Sequence, residues 1–253
     1  HTISRRQRQM CIRDSPIKSS LFENKFLKLI AKLIDRLIGV SLNEIEIFIK
    51  AIFKINKLKG FDIVQLINER AFGTSPKLEK TLLEYIFKNN RRVFLLACGV
   101  DTVSIKYASE KKFRYSILSP YFKNKNLKGE FKHTTKYLNS NYLMLGEYVR
   151  DNVKGIISSD LDYHIPYENF NKYLGMIPNP VNIDKLKKSE INKKNKIFIL
   201  HAINSKNKIK KGNEFFEKSL ILIEEKYKNK IKIVKTIDRP YSEHIINVNK
   251  CDI

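Results

Sequence analysis

The sequence has few cysteines and no long apolar segment. Its three cysteines, Cys11, Cys98 and Cys251, have no metal-ligand spacing and cannot all pair with one another. This usage favours a reducing, cytosolic compartment. Apolar runs such as residues 197–200 are far shorter than the about 20 residues that a membrane-spanning helix needs. No apolar segment follows the basic start of the chain, so we expect no secretory signal.

Acidic residues are also scarce relative to basic ones. The chain has 49 Lys and Arg against 26 Asp and Glu, a net charge of +23. Such an excess suggests nucleic-acid binding, because clustered cations release counterions from phosphates. However, the lysines are spread along the chain, without zinc-finger spacing, a ribonucleoprotein aromatic motif or an uninterrupted basic helix. We favour a solvated lysine-rich surface that attracts anionic donors or an anionic membrane, and keep nucleic-acid binding as the alternative.

The first 15 residues differ in composition from the rest. They contain four arginines, whereas the remaining chain relies on lysine: Arg5, Arg6, Arg8 and Arg13. Residues 8–15 resemble a translated sequencing adapter, so we expect residues 1–15 to be an artefact and exclude them from fold reasoning. The alternative is a basic arm that binds nucleic acid or a membrane.

The first half of the remaining chain alternates helical and strand patterns. Apolar residues spaced three and four apart predict an amphipathic helix over 21–37. The same spacing predicts a second helix that begins after Ser41, its expected N-cap. Short apolar runs predict strands at 61–67 and 92–97, with a helix from Pro76 to Asn89 between them. This order is typical of a right-handed βαβ crossover and a parallel sheet.

The middle of the chain is less regular. Residues 109–136 predict irregular structure or short helices, followed by a helix over 134–153 and a strand over 155–158. The two prolines of residues 177–182 require an extended segment. The charged stretch that follows predicts a domain boundary between residues 184 and 185.

The βαβ pattern then begins again. Residues 196–202 and 231–237 predict strands, residues 212–227 and 240–249 predict helices, and 251–253 predict the start of another strand. A doubly wound domain needs about five or six strands. We therefore expect the chain to stop part-way through a second domain.

Two loops at strand ends are candidate sites, because ligands of parallel α/β sheets bind beyond the carboxyl ends of strands. The loop after Leu200 carries four lysines and ends at Gly212, a predicted helix start. Helix-terminal N–H groups and lysines such as Lys206, Lys208 and Lys211 attract phosphates, and glycine allows close backbone approach. A solvated lysine loop is the alternative interpretation.

The second loop, residues 97–102, places Asp101 beside a glycine at a strand end. Its carboxylate is predicted either to face an interdomain cleft or to cap a helix from Val103. Four histidines are too scattered to predict a metal site, and we expect His244 to be structural: His133, His164, His201 and His244.

The order of four segments resembles bacterial retaining glycosyltransferases of the GT-B group, the family-4-like or group 1 enzymes. The segments are Cys98–Asp101 (a Gly-Ser-Asp type turn), Ile177–Asn182 (an I-P-N-G/P-V-D linker), Lys211-Gly212 with its helix (a diphosphate-binding start) and Asn249–Ile253 (the strand before an acidic motif). The sequence departs from the pattern at Pro180, at Cys251 and at Lys206 or Lys208, where arginine is expected. Lysine weakens bidentate phosphate contact.

The resemblance implies a GT-B fold of two Rossmann-like doubly wound domains, an acceptor domain over 16–184 and an incomplete donor domain over 185–253. It implies a metal-independent hexosyltransferase that takes a nucleotide-diphosphate sugar as substrate, with no cofactor, and glycosylates a glycan or lipid-linked acceptor in cell-surface polysaccharide synthesis. Lys206, Lys208, Lys211 and Gly212 would bind the donor diphosphate, and Asp101 would be catalytic.

Together with the cysteine usage and the spread of the lysines, the resemblance favours a cytoplasmic location, with peripheral contact at the inner face of the plasma membrane and no nucleic-acid partner. The family's Glu-containing donor-sugar segment would follow residue 253, so we expect the chain as given to be inactive. A non-catalytic Rossmann-like scaffold remains an alternative, because fold does not dictate function.

Overall fold

The computed structural model describes residues 41–180, 182–187 and 196–252. Its α-helices are α1 Leu42–Ile55, α2 Pro76–Asn89, α3 Thr102–Ser109, α4 Ser119–Lys123, α5 Lys128–Thr135, α6 Ser140–Asn152, α7 Leu161–Tyr167, α8 Asn213–Lys226 and α9 Tyr241–Lys250. Its strands are β1 Ile63–Ile67, β2 Arg92–Ala97, β3 Gly155–Ser158, β4 Tyr173–Met176, β5 Ile197–Ile203 and β6 Ile231–Ile237. The class is α/β with parallel sheets, as predicted.

The described residues divide into two compact units. The first unit comprises residues 41–107 and 133–178, and the second comprises residues 108–132 together with those from 179 onward. The first unit contains β1 to β4, and the second contains β5 and β6.

The first unit is built on a four-stranded parallel sheet in the order β1-β2-β3-β4. Each strand lies beside the next one in the chain, so the described sheet has no reversal of strand order. Such a reversal defines a doubly wound sheet, and this part of the prediction is therefore not seen in the described residues. The α/β class itself is confirmed.

One apolar core joins this sheet to helices α2, α6 and α7. It is formed by Leu66, Leu83, Ile86, Val93, Leu95, Ala97, Leu145, Val149, Val153, Ile156 and Tyr167. The residues of β2 alternate along the strand, with Val93, Leu95 and Ala97 buried and their neighbours more exposed. Because successive side chains of a strand point to opposite faces, one face of β2 lies on this core.

Helix α2 shows why the predicted boundaries are accurate where local signals agree. Pro76 occupies the first turn, where a missing N–H costs nothing. The buried carboxylate of Glu79 accepts hydrogen bonds from the backbone N–H groups of Phe72 and Thr74 at 2.7 and 2.8 Å. These bonds secure the preceding turn, and Leu82 and Leu83 face the core.

The second unit contains a two-stranded parallel sheet with α8 in the crossover. β5 and β6 pair in register from Ile197 opposite Ile231 to Ile203 opposite Ile237. The N–H of Asp252 donates to the carbonyl of Phe198 at 2.8 Å, so the chain after α9 runs beside β5. This pairing lies where the sequence predicts the start of a further strand.

Several predicted elements are confirmed and a few need correction. The helix at 76–89 and the strands at 92–97, 155–158 and 231–237 have the predicted bounds. The single helix predicted over 134–153 is wrong, because the backbone of Asn139 is extended and α5 ends before α6 begins. The helix predicted at 21–37 and the arm at 1–15 lie outside the described residues.

Candidate functional site

The lysine-rich loop after β5 folds into two tight turns before α8. Gly212 caps the helix with φ +66°, a left-handed conformation that side chains rarely adopt. Three consecutive N–H groups are already used within the loop: Lys211 to the Asn207 carbonyl, Gly212 to Ile209 and Asn213 to Lys208. An anion would therefore bind this loop mainly through the lysine side chains, because these three backbone N–H groups are already hydrogen-bonded.

The lysines of this loop differ in their surroundings. Lys208 Nζ lies 3.7 Å from Glu217 Oε2, and Glu217 also accepts from Lys235 Nζ at 2.7 Å. Lys206 and Lys211 are exposed and form no ion pair with any described residue. Of the three predicted diphosphate-binding lysines, these two form no ion pair, although the Lys206 charge acts on the nearby carboxylate of Asp238.

Asp238 fixes the loop to the end of β6. Its carboxylate accepts from the Ser205 N–H at 2.9 Å and from the Ser205 hydroxyl, while its own N–H donates to the Ile203 carbonyl at 2.9 Å. These hydrogen bonds from Ser205, together with the Lys206 charge, lower the pKa of Asp238. The carboxyl ends of β5 and β6 are thereby joined, a contact that the sequence analysis missed.

Asp101 lies at the start of α3 in the first unit. It is fully buried, and its Oδ1 accepts from the Ser104 N–H at 2.7 Å, which is the geometry of a helix N-cap. The capping interpretation of Asp101 is therefore confirmed, with the helix beginning at Thr102 rather than Val103. Burial of the carboxylate argues against direct contact with a substrate, and a catalytic role for Asp101 stays a prediction.

Glu69, which follows β1, is the second carboxylate at this helix start. Its Oε1 accepts from Arg150 Nη1 at 2.7 Å and from Thr102 Oγ1 at 2.8 Å, and its Oε2 accepts from the Thr102 N–H at 2.9 Å. The side chain is 1% exposed. We call Glu69, Asp101, Thr102 and Arg150 the carboxylate cluster.

The electrostatics of the carboxylate cluster are dominated by burial. Burial and the charge of Asp101 raise the pKa of Glu69 to about 7, although Arg150 and the hydrogen bonds from Thr102 act in the opposite direction. Burial also raises the pKa of Asp101, with hydrogen bonds from Ser104 and the Arg150 charge opposing it. Near neutral pH, the cluster therefore favours carrying an extra proton.

Glycine at position 146 of α6 makes room for this cluster. A Cβ there would lie 2.7 Å from Glu69 Oε1 and 2.8 Å from Arg150 Nη1, and closer still to the hydroxyl of Thr102. These distances are shorter than any normal contact of a methyl group. Glycine is therefore required for the helix to approach the carboxylates.

Two buried oxygen atoms, Asp101 Oδ2 in the cluster and Tyr167 Oη beside it, have no partner at close hydrogen-bond geometry in the described part of the chain. The Tyr167 hydroxyl nevertheless acts on the Asp101 carboxyl. The Asp101 charge helps to raise the pKa of Tyr167, after burial as the main cause. A short chain of hydrogen bonds lies nearby, in which Tyr173 Oη contacts Ser158 Oγ at 2.6 Å and His164 Nδ1 at 2.7 Å.

Within the described ranges, no three or more His, Cys, Asp or Glu residues are grouped closely enough to hold a metal ion. No helix in the same ranges combines the length and apolar character needed to cross a membrane.

The chain matches no protein-family model, and no curated protein or solved structure is significantly similar to it. What is established is an α/β protein with a parallel sheet in each unit. The loop of Lys206, Lys208, Lys211 and Gly212 lies at the carboxyl end of β5, and Asp101 lies at the carboxyl end of β2.

Proposed function

We propose that the chain is a sugar-nucleotide glycosyltransferase of the GT-B type, whose loop 204–212 binds the donor diphosphate. The supporting observation is the position of this loop at the carboxyl ends of two parallel strands, where open α/β sheets bind ligands. The resemblance of the motif order to retaining glycosyltransferases supplies the sugar-nucleotide part of the proposal.

The chemistry asked of the loop is electrostatic. As the bond from the sugar to the diphosphate breaks, negative charge grows on the diphosphate leaving group. Positively charged side chains that are already in position stabilise this negative charge, because the protein does not have to rearrange during the reaction. Lys206 and Lys211 supply such groups: neither forms an ion pair within the described residues, and Lys211 is the freer of the two because the Lys206 charge also acts on the Asp238 carboxylate. Lys208 would first have to leave Glu217.

Gly212 and Asp238 support this arrangement. The left-handed backbone at Gly212 turns the chain directly into α8, so the lysine loop stays short. The bonds from Ser205 to Asp238 hold the start of the loop against β6. In the proposed reaction neither residue contacts the sugar, and both keep the lysines near the diphosphate.

The proposed substrates are a nucleotide-diphosphate hexose and a glycan or lipid-linked acceptor, with peripheral contact to an anionic membrane. No cofactor and no metal enter the proposed reaction, because the lysine ammonium groups neutralise the charge of the diphosphate. Asp101 is assigned no contact with substrate, since its side chain is fully buried. It acts as the cap of α3 instead.

Calorimetry with a panel of nucleoside diphosphates and sugar nucleotides tests the proposal. We expect Lys211→Ala to weaken nucleoside-diphosphate binding about tenfold, the cost of one charge-assisted contact. Lys228→Ala is the matched control, because Lys228 is an exposed lysine beyond the opposite end of α8. Equal effects of the two substitutions on nucleoside-diphosphate affinity would show that Lys211 is not part of the binding site.

Two further results separate the alternatives. Release of nucleoside diphosphate from a sugar nucleotide by the full-length natural protein establishes the reaction, whereas binding by that protein without release from any donor supports a non-catalytic scaffold. Tight binding of single-stranded or duplex nucleic acid with a steep salt dependence, and no binding of nucleotides, would instead support the nucleic-acid alternative.

A further inference from the structure

The carboxylate cluster holds more buried negative than positive charge. Glu69 and Asp101 lie around the first turn of α3, and Arg150 is the cation that contacts Glu69. The other titratable groups that interact electrostatically with these carboxylates lie on the surrounding segments: Cys98 after β2, Tyr137 before α6, and Tyr163 and Tyr167 on α7. Asp160, after β3, acts in turn on Cys98 and Tyr163.

None of these further groups supplies a second positive charge, and Arg70, which acts on Tyr137, is already paired with Glu44. The cysteine, the aspartate and the three tyrosines are neutral or negative, and the pKa of each tyrosine is raised, mainly by burial. Two carboxylates facing one guanidinium in a low-dielectric interior repel each other when both are ionised. A proton is the smallest ion that can cancel the second charge.

The hydrogen bonds leave space for that proton. Glu69 accepts three hydrogen bonds, all at close geometry. Asp101 Oδ1 accepts from the Ser104 N–H, the hydroxyls of Ser104 and Tyr167 also act on this carboxyl, and Oδ2 has no partner at close geometry. A protonated carboxyl is both donor and acceptor. A proton on Asp101 Oδ2 therefore displaces no close hydrogen bond, and the neighbouring Tyr167 hydroxyl can accept from it.

We propose that Glu69 and Asp101 together hold one proton, and that its loss as the pH rises towards neutrality loosens the first turn of α3. Both carboxylates accept from the N–H groups of this turn, Glu69 from Thr102 and Asp101 from Ser104. Their mutual repulsion after deprotonation therefore acts on the helix start itself. This inference is independent of the proposed transferase function.

The direction of the pH effect follows from linkage. The closed form keeps its proton up to about pH 7, the pKa of buried Glu69, whereas an opened, hydrated carboxyl has its ordinary pKa of 4.5. Between these values the closed form binds the extra proton, so rising pH favours opening. Above about pH 7 both forms are deprotonated, and the effect levels off.

Amide hydrogen exchange on the complete chain measures this opening. After correction for intrinsic exchange, we expect the opening equilibrium at Thr102 and Ser104 to rise with pH. The slope approaches about tenfold per pH unit from pH 5 to 7 and then flattens. The amide of Val234, in β6 of the second unit, provides an internal reference with no such slope.

Variants of either carboxylate give a sharper test. Glu69→Gln and Asp101→Asn each leave one carboxylate facing Arg150, so each should abolish most of the slope. Glu84→Gln, on the exposed side of α2 with its side chain 53% exposed, should retain it. Carbon-13 shifts of the wild-type carboxyl groups, followed over the same pH range, report the extra proton without any substitution.

The outcomes are distinct. A step in the carboxyl shifts near neutral pH, with a slope lost in both variants, supports the extra proton. A flat opening equilibrium in the wild-type chain overturns it. So do carboxyl shifts that change only near pH 4, or a slope that survives both substitutions.

Discussion

Arg150 Nη1 on α6 lies 2.7 Å from Glu69 Oε1 after β1, although 81 positions of sequence separate the two residues. The same guanidinium nitrogen donates to Thr102 Oγ1 at 3.0 Å. One side chain thus connects the end of β1, the start of α3 and the last turns of α6. The arrangement ties the carboxyl edge of the sheet to its covering helix.

Removing the guanidinium should therefore be costly. Arg150→Met keeps the length of the side chain but leaves Glu69 buried without its cation. Breaking a buried pair from one side typically costs about 3–5 kcal/mol of unfolding free energy. Denaturant unfolding measures the loss. Arg91→Met is the control, since that arginine is 73% exposed and should change stability by less than about 0.5 kcal/mol.

A second prediction concerns the space beside the carboxylates. Gly146→Ala places a methyl group within 2.7 Å of Glu69 Oε1, so either α6 or the carboxylate must move. We expect a loss of about 1–3 kcal/mol, the usual cost of overpacking. Gly129→Ala, in α5 with open space around it, should be neutral or stabilising. Equal stability of the two variants in thermal unfolding would contradict the packing argument.

The raised pKa of Glu69 predicts a pH dependence of global stability. The folded protein retains a proton up to about pH 7 that the unfolded chain releases near pH 4.5. The unfolding free energy of wild type, relative to Glu69→Gln, should therefore fall by about 3 kcal/mol from pH 4.5 to pH 7 and stay level above it. Urea titrations at several pH values measure this difference. A difference that grows with pH would reverse the assigned sign.

Sequence patterns predicted most of the regular structure where several local signals coincide. Helix α2 has an N-terminal proline and apolar residues at helical spacing, and its predicted bounds are confirmed. Helix α7 and strand β4 were missed. Pro166 lies inside α7 and argues against a helix, and β4 has four residues and contains Gly175. Short elements carry too few residues for a period to be visible.

The candidate site residues also fall into those that the sequence identified and those that it missed. The lysine loop and Asp101 follow predicted strands directly, so position along the chain was enough to find them. Glu69 and Arg150 belong to no motif and meet only through the packing of α6 against β2. A charged residue two positions after an apolar strand was the available signal for Glu69. Its partner could be found only in three dimensions.

The last prediction separates charge from positioning in the lysine loop. Asp238→Asn removes one negative charge but keeps a residue type that tolerates the observed φ of +48°. If Asp238 contributed only charge, the substitution would strengthen binding of a nucleoside diphosphate. We expect the opposite, an approximately tenfold weaker affinity, because Asn offers Ser205 one acceptor oxygen in place of two and no charge to strengthen the bonds that hold the loop.

Glu243→Gln in α9 is the matched control for this change. Its carboxylate is exposed and lies 3.4 Å from Arg239, so the substitution removes the same charge without touching the loop. Its effect on the dissociation constant gives the purely electrostatic contribution, which should be a small gain in affinity. If Asp238→Asn matches that gain, Asp238 does not position the lysines. If it weakens binding while Glu243→Gln does not, the contact with Ser205 orders the loop that receives the anion.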